Sequence, residues 1–222
     1  MNVLFDLYGT LIDIHTDESK EKFWKKLALK TKDFKEYDYQ ELKTEYLKAC
    51  EYFHQFKEEI EILDVFEKIY NVGIEDAKKI ALLFRKLSTK YIRKYRGVDK
   101  LLTNLKKRGC MIYLLSNAQS SFTLPEMEKL GLVKYFDGIA ISSDYGVKKP
   151  NKDFYLKVLE KFELAITDTW MVGNDFECDI APAKELGLKT IYIESNLSPN
   201  KLAIPKVDGF NYSKIVNAFK FK

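Results

Sequence analysis

Four short apolar runs in this sequence each stop at residues able to do chemistry. Val3-Leu4-Phe5 leads into Asp6, which is followed by Leu7-Tyr8-Gly9-Thr10-Leu11-Ile12-Asp13. Met111 to Leu115 leads into Ser116 and Asn117. The run ending at Ile141 is followed, after a polar stretch, by Lys149-Pro150. Thr169 to Val172 opens onto Gly173-Asn174-Asp175-Phe176-Glu177-Cys178-Asp179. Runs of this kind read as buried parallel strands. Parallel strands bring their carboxyl ends to one edge of the sheet, so the four sets of residues converge. A nucleophilic carboxylate, a hydroxyl, an ammonium and a second acidic cluster together suit an anionic substrate with Mg²⁺. Taken singly, Asp6 is a turn residue, Ser116 a helix cap and Lys149 a solvated lysine. Their order and placement make them a site. Glu177 reads as exposed, and His15 and His54 have no partner that would give them a role.

The elements that must position these residues fall into two kinds. From about Asp17 to Tyr95 only helical periodicity is visible. Leu42, Tyr46, Ala49, Phe53 and Phe56 recur at steps of three and four, as do Ala77, Ile80, Phe84, Leu87, Tyr91 and Tyr95. Phe23, Trp24 and Leu27 mark an earlier helix, Leu63, Phe66 and Ile69 a short one, and Asp38 with Glu41 a capping box. Alternation of strand and helix then takes over. Helices are predicted over Asp99–Arg108, through Met127 and Leu130, over Asn151–Phe162, through Ile180–Leu186 and over Ser213–Phe219. Strands are predicted at Met111–Leu115, Gly138–Ile141, Thr169–Val172, Lys189–Ile193 and, at an edge, Val207–Phe210. This is an α/β pattern: a doubly wound parallel sheet with right-handed crossovers. Residues 1–14 and 97–222 form the core domain, and residues 15–96 an inserted all-helical cap domain.

Composition narrows the function classes. The 222 residues carry 37 basic and 33 acidic side chains, a net charge of +4. Lysines alternate with glutamates along helical stretches, which reads as solvated helix faces and not as a nucleic-acid surface. No window is apolar for long enough to span a membrane. Asp6 interrupts the first apolar stretch and no basic leader precedes it, so no signal peptide is expected. Cys50, Cys110 and Cys178 are scattered and unpaired in sequence, as in a reduced, cytoplasmic protein. The expected partner is a small anionic molecule, with no nucleic acid and no membrane. Nothing in the sequence sets an oligomeric state.

The motifs resemble those of the haloacid dehalogenase (HAD) superfamily and keep their order. Asp6 matches the motif I nucleophile, Ser116 motif II, Lys149 the motif III lysine, and Asp175 with Asp179 the acidic loop of motif IV. The helical insertion between motifs I and II matches the family's cap position. The resemblance implies a doubly wound HAD core and an aspartyl intermediate formed on Asp6. It implies phosphoryl or substrate contacts from Ser116, Lys149, Thr10 and Asn117. It also implies Mg²⁺ held among Asp6, the Tyr8 carbonyl, Asn174, Asp175 and Asp179. Asp175 is the expected metal ligand, and Asp179 is expected to orient Lys149 or a ligand water. Aromatic and polar cap residues that could face the substrate are Phe23, Trp24, Tyr46, Phe53, His54 and Lys57, although such residues at helical spacing mostly build a core.

Two positions depart from the family's phosphatases. Tyr8 stands where they carry a second aspartate, which protonates the leaving group and later activates water. A phenol of ordinary pKa near ~10 can donate a proton but is a poor base at neutral pH. Asn174 stands where motif IV usually has its first acid. The string Asp-x-Tyr-Gly-Thr-Leu is shared with L-2-haloacid dehalogenases, which need no acid because a halide leaves unprotonated. Those enzymes carry an arginine shortly after motif I, whereas the first arginine here is Arg85. They also lack the acidic pair found at Asp175 and Asp179. The resemblance thus implies a Mg²⁺-dependent phosphatase of a small phosphorylated metabolite. A dehalogenase acting through an aspartyl ester is the alternative, and a catalytically idle HAD domain that binds a ligand or protein is a third reading.

Overall fold

A computed structural model describes residues 1–199, 207–208 and 212–219. In chain order the strands and helices begin with β1 (Asn2–Phe5), β2 (Ile12–Thr16), α1 (Glu21–Thr31), α2 (Tyr39–His54), α3 (Ile62–Tyr70) and α4 (Ile74–Ser88). They continue with β3 (Thr89–Lys94), α5 (Val98–Lys107), β4 (Met111–Ser116), α6 (Ser120–Lys129), β5 (Gly138–Ile141), α7 (Ser142–Tyr145) and α8 (Lys152–Lys161). The last are β6 (Thr169–Gly173), a π turn at Phe176–Ile180, α9 (Ala181–Glu185), β7 (Lys189–Glu194), β8 (Val207–Asp208) and α10 (Tyr212–Ala218).

The main sheet runs β5-β4-β1-β6-β7-β8 with every described pair parallel. Its alternation sorts side chains to two faces, as a sheet covered on both sides requires. Val3, Phe5, Ile112, Leu114 and Val172 pack into one apolar cluster, while Leu4, Tyr113, Leu115 and Met171 pack into the other. Register places Phe5 level with Leu114 on one side and Val172 on the other. The residues that follow these three therefore leave the sheet at the same edge.

The helices α1 to α4 enclose a third cluster that includes Phe23, Trp24, Leu42, Phe66, Ile80 and Phe84. Phe122 of α6 joins this cluster from the core side and stacks on Phe84, centroids 6.3 Å apart and planes 5° from parallel. Asp38 caps α2 by accepting from the Gln40 N–H at 2.8 Å. Phe56, expected on the apolar face of that helix, lies beyond its end and is exposed.

The insertion is not wholly helical. The helical spacing predicted through Tyr91 and Tyr95 breaks at Ser88, and Thr89–Lys94 forms β3, antiparallel to β2 with Ile14 opposite Ile92. The Thr89 hydroxyl donates to the Arg85 carbonyl at 2.7 Å and closes the last turn of α4. From there Thr-Lys-Tyr-Ile-Arg-Lys supplies β-branched and aromatic residues, which favour extended backbone once a partner strand is present. Arg93 then grips the buried Asp13 across the ribbon at 2.7 Å. Both chain passages into the helical unit thus run through one two-stranded ribbon. The edge strand expected at Val207–Phe210 is described at Val207–Asp208 only, and residues 209–210 lie outside the described residues. Among the described residues no helix is long and apolar enough to cross a membrane.

Candidate active site

Asp6 continues β1 by one step, its N–H donating to the Val172 carbonyl at 2.9 Å. The chain then turns sharply, with the Leu7 carbonyl accepting from the Leu11 and Ile12 N–H groups. Gly9 has φ +87°, and a Cβ there would lie 2.2 Å from the Asn174 side chain, so the position needs glycine on two counts. Asp6 is 7% exposed. Its Oδ1 accepts from Lys149 Nζ at 2.9 Å and its Oδ2 from Thr10 Oγ1 at 3.0 Å.

Lys149 is the hub. Its ammonium is 2% exposed and its three donors are all used, on Asp6, on the Leu115 carbonyl at 2.8 Å and on Asp179 Oδ1 at 2.6 Å. Burial works to strip its proton, but the Asp179 and Asp6 carboxylates outweigh that and hold its pKa above the ordinary lysine value. Burial raises the Asp179 carboxyl above the usual carboxylate range, while the Lys149 ammonium pulls the other way. The second Asp179 oxygen accepts from the Asp175 N–H at 3.0 Å. A Cβ on Gly173 would come within 2.2 Å of that oxygen, so Gly173 makes room for it.

Asp175 Oδ1 accepts from the Glu177 and Cys178 N–H groups at 3.0 and 3.1 Å and so opens the π turn. Asn117 holds the Lys149 backbone from both sides: Lys149 N–H donates to Oδ1 at 2.8 Å and Nδ2 donates to the Lys149 carbonyl at 2.7 Å. Ser116 is fully buried, and its hydroxyl has no partner among the described residues. A cavity of about 170 Å³ opens over Asp6, lined also by Tyr8, Asn117, Lys149, Asn174, Asp175 and Asp179.

The haloacid dehalogenase-like hydrolase family model matches residues 1–220. The chain belongs to that family. It is 32% identical over 104 residues to the glyceraldehyde 3-phosphate phosphatase of Pyrococcus furiosus, a match covering 47% of this chain and 43% of that one. The chain spans about half the length of the curated relatives it matches. Among solved structures it resembles a HAD phosphatase from Thermococcus onnurineus, with TM-score 0.63, 16% identity, and coverage of 99% and 97% of the two chains. It also resembles a 2-haloacid dehalogenase from Pseudomonas syringae, with TM-score 0.66, 19% identity, and coverage of 97% and 96%. At such identities these two structures establish the shared fold.

In this HAD-like hydrolase the residues expected at the site fall at one sheet edge, and several of them are bonded to one another. Thr10 is fully buried and its hydroxyl faces Asp6 and, at 3.1 Å, Asn174 Oδ1. It holds the carboxylate and is not among the residues lining the cavity over Asp6. The Asn117 side chain is likewise committed to the Lys149 backbone. Asn174 is buried against Gly9, with its Oδ1 accepting from Thr10, and it lines the cavity over Asp6. Asp179 has both oxygens engaged, so it fits the holding of Lys149 better than metal ligation.

Tyr8 is turned toward α6. Its hydroxyl donates to Glu126 Oε2 at 2.6 Å and lies 3.2 Å from Thr123 Oγ1. Burial first, and then the Glu126 carboxylate, push its pKa far above the ordinary phenol value, so it stays protonated. Glu126 also receives Arg85, whose Nε reaches Oε1 at 2.6 Å. Sequence reasoning missed Glu126. The available signal was a carboxylate four residues after Phe122, hence on the buried face of α6. Of the proposed cap contacts, Tyr46 lines a cavity beside the site; Phe23 and Trp24 are buried in the helical unit, Phe53 is partly buried against it, and His54 and Lys57 are exposed.

The donor set can be tested against Mg²⁺. Among the described residues no three Asp, Glu, His or Cys side chains group closely enough to hold a metal unaided. Asp6 and Asp175 do line one cavity, and both offer hard carboxylate oxygens. Mg²⁺ is typically held by one or two carboxylates, with water and substrate phosphate completing its shell, so this donor set fits.

Proposed function

We propose that this protein is a Mg²⁺-dependent phosphatase of a small phosphorylated metabolite, with Asp6 as its nucleophile. The observation that carries this reading is the charge around Asp6. Asp6, Asp175 and Asp179 outnumber Lys149, the ammonium among the lining residues, so a phosphate dianion is admitted only with a divalent cation. Asp6, Asp175 and the Tyr8 carbonyl would hold that Mg²⁺, which supplies neutralising charge to the phosphoryl group when bound. The curated relatives named as phosphatases support the same activity.

An Asp6 oxygen attacks phosphorus, the ester oxygen leaves with its bonding pair, and an aspartyl phosphate forms. Water then cleaves the acyl phosphate and restores the carboxylate. Lys149 offsets charge as the two anions meet, and the unpartnered Ser116 hydroxyl is the donor available to a phosphoryl oxygen. Thr10 and Asn117 keep Asp6 and Lys149 in place. The free thiols of Cys50, Cys110 and Cys178 support a reducing, cytoplasmic setting. We propose residues 15–96 as the cap over this site.

The Tyr8 hydroxyl is committed to Glu126, so no acid stands ready for the leaving oxygen. Such acids contribute about 10²–10⁴-fold. In Mg²⁺, kcat/KM should therefore fall from acetyl phosphate to p-nitrophenyl phosphate to a sugar phosphate, and chelation should abolish all three. A sugar phosphate hydrolysed as fast as acetyl phosphate contradicts this. Tyr8→Asp is expected to raise turnover of the sugar phosphate relative to acetyl phosphate; no gain in a folded variant means that Tyr8 is not limiting. The same committed phenol suits halide departure, so metal-free chloride release from 2-chloropropionate is the result that would replace phosphatase by dehalogenase.

A further inference from the structure

Tyr8 and Asn117 also line a second cavity of about 470 Å³, bounded by the helical unit and the core. If phosphorus sits at Asp6, the alcohol part of the ester lies here, so a role for this cavity in substrate binding rests on the phosphatase reading. The walls are aromatic on one side. Tyr46 stacks on Phe84 with centroids 5.3 Å apart, and Phe84 in turn stacks on Phe122.

The charges on the remaining wall that are not already paired at close range are acidic. Glu18 and Glu59 line the cavity, and the Glu18 carboxylate takes no hydrogen bond among the described residues. Glu59 has weak support: the Ile60 N–H and the Ser142 hydroxyl, each at 3.3 Å, and the Lys148 ammonium at 3.9 Å. Arg85 is the one cation among the lining residues, and it is not available as a counter-charge. It meets Glu126 through two nitrogens, at 2.6 and 3.2 Å, and its guanidinium lies 5.0 Å from the centre of the Phe122 ring. Gln119, also in the wall, has a buried side-chain carbonyl with no partner among the described residues. The cavity thus combines aromatic faces with carboxylates that have no close counter-charge.

We propose that this cavity is a subsite for an ammonium group, and that the substrate is the phosphate monoester of an amino alcohol. Aromatic faces and carboxylates together are how proteins hold such cations. A second phosphate or a carboxylate at the same place meets Glu18 and Glu59 with no free cation among the lining residues to balance it. An ammonium close to the ester oxygen also withdraws charge from the departing alkoxide, which compensates for the acid that Tyr8 does not supply.

The test uses three esters of one length: O-phosphoethanolamine, 2-hydroxyethyl phosphate and 2-phosphoglycolate, with a cationic, a neutral and an anionic tail. Acetyl phosphate, which has no tail to enter the subsite, is run beside them with the wild-type protein. The cationic ester is expected to exceed the neutral one in kcat/KM by about tenfold, with the anionic one slowest. In Glu18→Gln/Glu59→Gln the cationic-to-neutral ratio should collapse toward one, chiefly through KM. Turnover of acetyl phosphate with a flat or inverted ranking of the three esters overturns the subsite and leaves the phosphatase standing. A ratio unchanged in a folded double variant overturns it as well. No phosphate released from any of the four compounds overturns the phosphatase reading and the subsite with it.

Discussion

Asp6→Asn is expected to lower Mg²⁺-dependent phosphate release by about 10⁴-fold or more, the scale on which hydrolases lose activity when the nucleophile is removed. The amide oxygen can still accept from Lys149 at the place of the 2.9 Å bond, while the amide NH2 replaces the oxygen bound by Thr10 and can donate to its hydroxyl, which keeps Asn174 Oδ1 as an acceptor. Lys149 also keeps Asp179 and the Leu115 carbonyl. Loss of activity should therefore come without loss of fold, which a melting curve within a few degrees of the wild type would show. Beryllofluoride, a mimic of an aspartyl phosphate, adds a readout independent of turnover. It should raise the melting temperature of the wild type in Mg²⁺ and leave Asp6→Asn unmoved, because only the carboxylate offers a partner. Asp6→Asn activity within tenfold of wild type would mean that another group attacks. A wild type that beryllofluoride does not stabilise would support the idle-domain reading instead.

The parts of this protein that were readable from sequence are those fixed by local pattern. Strands β1, β4, β5, β6 and β7 are apolar runs with polar ends, and burial on both faces of a parallel sheet demands that composition. Their ends carry Asp6, Ser116 and the acidic loop, and Lys149 follows β5, so the convergence of the site was readable with them. The β2–β3 ribbon was not. Its strands are short and carry His15, Lys90, Arg93 and Lys94 among few apolar residues, and β3 directly continues the three-and-four spacing of α4. What decides its conformation is the partner strand more than 70 residues away, with Asp13 and Arg93 paired across it. Roles within the site were hidden for a similar reason. Thr10 and Asn174 are both polar and near Asp6 in any reading, yet their contact depends on two loops packing at Gly9. Glu126 escaped notice because its partners, Tyr8 and Arg85, come from motif I and from the helical unit. A sequence pattern shows which residues share an element, not which elements share a side chain.

Lys149→Met should cost both activity and stability, and the stability loss tests the charge balance of the site directly. Met preserves the length of the side chain but removes the cation from between Asp6 and Asp179, which bind it at 2.9 and 2.6 Å. Removing one partner from a buried ion pair typically costs about 3–5 kcal/mol, because the other charge is left uncompensated. Here two carboxylates are left. The pH dependence follows from Lys149 and Asp179. In the wild type, Lys149 has its pKa raised by folding, so its contribution is complete below the unfolded lysine value of ~10.4 and is lost only above it. In the variant, Asp179, whose carboxyl burial already raises, loses the ammonium that pulls it down, so its folded pKa lies above its unfolded one. The native state then binds more protons than the unfolded state, and stability falls as pH rises through and above the carboxylate range. Urea denaturation should show the deficit largest at neutral pH and shrinking toward pH ~4, where the unfolded carboxylates themselves begin to protonate. Lys149→Met/Asp179→Asn should recover much of the deficit, since a neutral pair leaves only Asp6 to be accommodated. A single-variant loss below about 1 kcal/mol, flat with pH, would assign Lys149 to the surface range of ion pairs and remove it as the charge that makes Asp6 usable.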